Sequence, residues 1–447
     1  MSVSRETIAA IRFGYGFQPG LRGPSDAGDL LRELSDGAQA RLLVPGPSFA
    51  ERHAMLAERR EALKRNASEA EQKRLVKRNR AQTVTDAAAR LTQRAYGHGL
   101  FERMTSFWMD HFTVAAKSPV RALLIPVYEP EAIRPHVMGH FADMLVAVSR
   151  HAAMLDYLDQ RGSVGPNSKA GRRRDIGLNE NLAREVLELH TLGVGGAYTQ
   201  RDVRELAELL TGYGFQPDTG EFRFVSNQAE PGTETVLGRT YGRGKPDAGE
   251  AEEALRDLAR HPDTARHIAR KLAVHFVSDT PDDRLVRRLE STFRDADGHL
   301  PSLYAELLEH PSSWETFGAK VKQPMDFLVS CIRATGQRPS ELKRGVQNQL
   351  VRALRQMNQP IHGPPGPDGW PEAGEAWITP QGLASRLEFA SLLGNQLAKD
   401  RDLDPRKLAE DVLRDALRPG TAFAIGGAEA RWEGFALIFA SPEFNRR

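Results

Sequence analysis

Asn179–Tyr213 reads NENLAREVLELHTLGVGGAYTQRDVRELAELLTGY, and its apolar residues fall at helical spacing twice over. In the first half Leu182, Val186, Leu189 and Leu192 define one face, while Glu180, Arg184 and Glu188 stand opposite as i,i+4 partners. In the second half Thr199 and Asp202 form a capping-box-like start. Val203, Leu206, Ala207 and Leu210 then give one apolar face, and Gly212 falls where the helix would be capped. Two polar residues break the pattern. Glu185 lies between Leu189 and Leu192, and His190 lies beside Val186, so both should be at least partly buried. An isolated buried carboxylate is costly unless paired, hydrogen-bonded or protonated, so Glu185 needs a partner. On a regular helix the two are about 140° apart and cannot hold one ion.

Most of the chain repeats this periodicity with good helix formers, which predicts a mainly α protein, a large multi-helix bundle-like domain. The strand signal is confined to Glu221–Val225 and Thr233–Leu237 around Pro231 and Gly232, which predicts one small β-hairpin near 221–237. Residues 51–95 begin with a run dense in Lys, Arg and Glu and read as a charged helical arm or hairpin. Residues 161–178 read as a basic, flexible surface loop, able to clamp an anion or simply solvated. The stretch 359–371, QPIHGPPGPDGWP, holds five prolines and must run as a stiff, irregular connection.

The hexapeptide GYGFQP occurs at Gly14–Pro19 and again at Gly212–Pro217. The flanks do not match, so two helices leaving in the same way explains it better than a duplicated domain.

Testing the other histidines against helical faces separates them. In Leu100–Phe112, His111 projects among Leu100, Phe101, Met104, Phe107, Trp108 and Phe112, with Asp110 directed away. His275 lies beside Ile268 and Leu272. His136 and His140 fall with Asp143 on the polar side of a helix whose face is Val137, Phe141, Met144, Leu145 and Val148, which reads as an exposed structural pair. For each inward histidine a core residue bonded to backbone and a site residue are both open readings.

Composition narrows the classes. With 61 basic and 59 acidic residues among 447, no global charge points to nucleic acid. The single Cys331 excludes intrachain disulfides and multi-cysteine metal centres. No stretch of some 18 apolar residues is present, and the start lacks the pattern of an export signal, so the default expectation is cytoplasmic. H-E-x-x-H, Glu-x-x-His and G-x-S-x-G are absent, and Gly238–Pro246 misses the phosphate-loop spacing. These residues name no cofactor and no metal site.

The Asn179 block resembles the hallmark of a bacterial domain-of-unknown-function family, the one indexed eighteen hundred. Further matches are FWMDHF (107–112), AMLDYLD (153–159), KLAVHFVSDTP (271–281), GPPGPDGWPE (363–372) and ASPEFNRR (440–447), which together span most of the chain and imply one family domain over 1–447. The family usually has histidine where this chain has Met109, and commonly tryptophan where it has Tyr213. Because the earlier GYGFQP lies near the family's Gly-Phe-Gly element, the resemblance implies that both copies line one cavity. Many relatives look exported and are encoded beside proteins with twin-arginine signals, distantly similar to sulfatases and phosphatases. The resemblance therefore implies such a protein as partner, and a periplasmic location as its export passenger.

Two functional readings follow. One is an enzyme with Glu185 as general acid or base and His111 or His190 as proton carrier or ligand, at the meeting of the two helices. Asn179, Asn181 and Arg184 would orient the substrate, Trp108 and Trp370 exclude water, and Tyr213 line the cavity. The other is a non-catalytic binding or assembly protein in which the buried polar cluster only locks helix packing.

Overall fold

The charged arm folds as a helical hairpin, α1 (Phe49–Lys64) followed by α2 (Glu69–Tyr96). Ser48 and Glu51 form a capping box at the start of α1. One basic residue of the arm is not solvated: Arg52 is buried, forks onto Asp86 of α2 at 2.7 and 2.9 Å, and donates to the carbonyls of Pro47 and Leu123.

The structure, a computed structural model, describes residues 3–118, 121–173, 177–242, 244–315 and 317–447. The protein is mainly α, with two small antiparallel hairpins among the described residues. The helices that position the site are α3 (Gly99–His111), α4 (Asn181–Glu185, running on through a π-helical turn at Val186–His190), α5 (Gln200–Leu209), α6 (Pro262–Phe276), α7 (Pro324–Thr335) and α8 (Pro380–Leu397). The largest apolar core runs from Ile8 to Trp314 and is built around α3, α4 and α6. A second core lies within Phe327–Phe444, and Tyr15, Leu91, Leu328 and Leu354 belong to a third. No helix among the described residues is long and apolar enough to cross a membrane.

Both predicted strands form, but they do not pair with each other. β1 (Tyr213–Phe215) pairs with β2 (Phe222–Phe224), and β3 (Glu234–Val236) pairs with β4 (Arg239–Tyr241). Leu237 and Gly238, at φ 49° and 78°, make a tight turn with both residues left-handed, the geometry that suits the twist of a two-residue hairpin. Leu-Gly is a weak turn signal in sequence, so this nearer partner was not legible.

The two GYGFQP copies differ. The later one leaves through Gly212 at φ 84° and becomes β1, whereas the earlier leaves a π-helical turn through an extended Gly14 and runs on without a strand. Their tyrosines serve different places. Tyr15 bonds to Ser106 and lies under the Arg103 guanidinium, while Tyr213 donates to the Ala248 carbonyl.

His136 and His140 do not share a helix. Pro135 and Gly139 interrupt the segment, the helix begins at Phe141, and both rings are half-buried; His140 bonds to the Asp297 carbonyl and packs on His299. In the basic loop, Gly165 and Ala170 bond to the carbonyls of Gln228 and Asn227, and Asn167 bonds to Glu230. Arg174 and Asp175 of that loop, with Ile176, lie outside the described residues, as does Arg243 of Gly238–Pro246. The segment 359–371 runs without regular structure, as its prolines require, and crosses the end of α3.

Candidate functional site

A helix leaves its last carbonyls without intrahelical partners. At the end of the π turn after α4, two of these orphans are taken by imidazoles from other helices. Nε2 of His111 on α3 lies 3.1 Å from the His190 carbonyl, and Nε2 of His267 on α6 lies 3.1 Å from the Leu189 carbonyl. A carbonyl only accepts, so both Nε2 atoms carry the proton and both Nδ1 atoms are left as acceptors. The Nδ1 atoms of His111 and His190 are buried without hydrogen-bond partners. The rings of His190 and His267 lie 6.2 and 6.1 Å from that of His111. Burial, then the positive charge of Lys271, lowers all three: His190 to about 3, His267 to about 4 and His111 well below its usual value. They are neutral imidazoles.

Lys271 is the hub of this region. It sits on α6 between His267 and His275 at i−4 and i+4, one stripe of the helix. Among the described residues its ammonium makes no hydrogen bond or ion pair. Burial lowers its pKa, against the pull of Asp110, Glu372 and Asp368. The cation is thus ringed by three carboxylates and three imidazoles and bonded to none of them.

Asp110 does point away from the apolar face of α3, but not into solvent. It enters a polar cavity under the 359–371 segment, where its Oδ1 accepts the Trp370 N–H at 3.0 Å. Burial, reinforced by Glu372, raises its carboxyl to about 7. Beyond it Glu372 accepts from His275 Nδ1 at 2.5 Å and from Lys320 at 3.2 Å. Burial alone would raise this carboxyl, but His275 and Lys320 outweigh it and hold it at about 2. The line continues through Arg103 to Asp326, which Arg103 and Arg447 approach at 2.5 and 2.9 Å.

The predicted site residues divide. His111 and His190 meet, as described. Glu185 is half-buried and has a buried Oε2 without a partner; burial, then Glu188 and Asp368, raises it to about 7. It makes no hydrogen bond or ion pair to either histidine, and it faces Tyr157 and Asp368 instead. The 140° separation from His190 does not apply, because the π turn closes i→i+5 and resets the angle. Trp370 is at the site through its backbone. Trp108 is wholly buried, donates to Tyr304 at 2.6 Å and packs edge-on to His111. Asn179 ties the start of α4 to the carbonyls of Leu158 and Asp159 and accepts the Asn181 N–H. Arg184 spans Glu180 and Glu188 on the outer face, as the i,i+4 spacing requires. Tyr213 shares no hydrogen bond, ion pair or ring contact with the others.

Sequence reading missed Lys271, His267, Asp110, Asp368 and Glu372. The signal at hand was the His267–Lys271–His275 stripe, two polar steps on a face that Ile268 and Leu272 border. Among the described residues no three histidine, cysteine or carboxylate side chains converge as metal ligands.

The six stretches that carry the family resemblance meet here: 107–112 supplies Asp110 and His111, 153–159 Tyr157, 179–213 Glu185 and His190, 271–281 Lys271 and His275, 363–372 Asp368 to Glu372, and 440–447 Arg447. No curated protein and no solved structure matches the chain. A family model described as Protein of unknown function (DUF1800) matches residues 8–446, and the chain belongs to that family.

Proposed function

We propose that the protein is an acid–base enzyme whose reacting groups lie between α3, α6 and the 359–371 segment. One observation carries the reading: Lys271, half-buried, stands among three carboxylates and three imidazoles with no hydrogen bond or ion pair among the described residues, which is costly for a cation unless a ligand completes its surroundings. Asp110 titrates near neutrality, so it is available in either protonation state at working pH, and burial lowers the Lys271 ammonium from its usual value. Asp110 acts as base or acid and Lys271 as its complement. His111 and His190 offer neutral acceptors beside them, and Glu185 is a second raised carboxyl at the Asp368 end. Trp370 fixes the direction of the Asp110 carboxylate.

The test is turnover. Purified protein is incubated with a library of small polar metabolites, followed by mass spectrometry, beside Asp110→Asn and Lys271→Met variants shown to fold by circular dichroism. Conversion by the wild type that falls at least a hundredfold in either variant is the expected result. No conversion, or conversion that both variants retain, overturns it.

A second reading, an assembly partner of an exported sulfatase- or phosphatase-like protein, draws on exposed apolar side chains along and just before α8. Ile378, Leu383, Leu387 and Leu392 are all exposed there. Co-purification that Leu383→Glu plus Leu387→Glu abolishes, without loss of fold, would favour it.

A further inference from the structure

The cavity that Asp110 enters carries more positive charge than its carboxylates balance. Arg90, Arg94 and Arg103 line it, with Asp110, Asp326, His275, His362 and the polar side chains of Ser106, Gln323 and Gln359, around a volume of about 80 Å³. Arg90 pairs with Glu129 at 2.7 Å, and Glu129 and Glu102 are shared with Arg134. That set holds two cations and two anions, and Arg94 adds its charge on Glu129 without a hydrogen bond. Asp326, in contrast, is a single carboxylate between Arg103 and Arg447. Arg94 is only 8% exposed and, among the described residues, makes no hydrogen bond or ion pair. The Nε atoms of Arg90 and Arg103 are also buried without acceptors. Arg103 is balanced by Asp326 and by the ionised Glu372, which leaves Arg94 as the guanidinium of the cavity with no hydrogen-bonded carboxylate among the described residues. Asp110, raised to about 7, is only partly ionised at neutral pH and is a weak counterion for it. His362, facing Arg90, Arg94 and Arg52, is held well below its usual value by burial and then by these arginines, and so adds no positive charge of its own.

A buried guanidinium left without a counterion is strongly unfavourable, and its planar fork matches an oxyanion edge. We propose that this cavity binds a tetrahedral oxyanion, a phosphoryl or sulfuryl group of a small molecule, with Arg94 as its principal ligand and the guanidiniums of Arg90 and Arg103 as further donors. Three guanidiniums line the cavity, and each can take a different oxygen of a tetrahedral group, whereas a carboxylate offers only two. The oxyanion then sits within reach of Asp110, so the inference gives the acid–base site its substrate class and rests on that reading for its use. The test reads binding and not turnover, so either can fail while the other stands.

Inorganic sulfate, inorganic phosphate and acetate are titrated into the full chain by calorimetry at matched ionic strength with chloride as background. Sulfate and phosphate are expected to bind, acetate at least tenfold more weakly, and Arg94→Met to lose at least tenfold in affinity for both dianions. Arg94→Lys keeps the charge but not the fork, and is expected to lose about fivefold; it decides the matter if the methionine variant does not fold. Absence of dianion binding to the wild type, acetate binding as tightly as sulfate, or dianion affinity unchanged in Arg94→Lys would overturn the assignment.

Discussion

Trp370 donates its backbone N–H to Oδ1 of Asp110 at 3.0 Å, and this bond fastens an irregular proline-rich segment to the last turn of a buried helix. The residue before it, Gly369, stands at φ 88°, and a Cβ there would come 2.7 Å from the Asp110 carbonyl and 2.8 Å from its Oδ1. Gly369→Ala should therefore cost about 2 kcal/mol or more, through strain and loss of the Trp370 bond. Urea unfolding of the variant beside Gly363→Ala, which meets only Pro360, measures it.

Asp110 gives a pH signature with a definite sign. Its carboxyl is raised from 3.8 to about 7 on folding, so its contribution to stability is complete below pH 3.8 and is lost as pH climbs to about 7. Asp110→Asn removes that loss while keeping an acceptor for Trp370. The variant should gain about 1–3 kcal/mol over the wild type between pH 4 and pH 8, read from denaturant midpoints across that range.

His267 gives the opposite slope. Its folded value of about 4 lies below the ordinary 6.5, so its contribution is present above pH 6.5 and is lost as pH falls through about 4. His267→Gln can still donate to the Leu189 carbonyl but does not titrate. Thermal unfolding at pH 4, 5 and 7 should show a flatter acid limb for this variant.

The His111–His190 carbonyl bond should act through the backbone. His111→Leu keeps an apolar side chain among Phe107, Trp108 and Phe112 but leaves the His190 carbonyl buried and unpaired, at a cost of about 1–3 kcal/mol. Hydrogen exchange should report the loss first in the π turn, Val186–His190.

Arg52 anchors the helical arm. Arg52→Met would leave the Asp86 carboxylate with Gln82 but no cation, and two backbone carbonyls without their donor, and should cost about 3–5 kcal/mol. Proteolysis inside α1 and α2 should accelerate before the rest of the chain opens.

The helices, the charged helical arm, the irregular 359–371 connection and the inward turn of His111, His190 and Glu185 were legible in the sequence, because burial repeats at the helical period and proline forbids helix. Periodicity reports only inside or outside. It placed Asp110 outside the apolar face of its own helix, which is true, but could not show that the 359–371 segment folds back over that side and turns it into the wall of a cavity. Lys271 was equally hidden, since a long cationic side chain beside an apolar face usually reaches water. The π turn after Glu185 breaks the 100° step on which the angular argument rests.

The sequence by itself determined a helical chain, its family and which polar side chains cannot all be solvated. Tertiary packing decided which of them meet, that Glu185 lies toward Asp368 while His111 and His267 cap backbone carbonyls, and that Arg94 has no hydrogen-bonded carboxylate among the described residues. Such pairings depend on contacts between residues far apart in the chain, and no local pattern encodes a distance across the core.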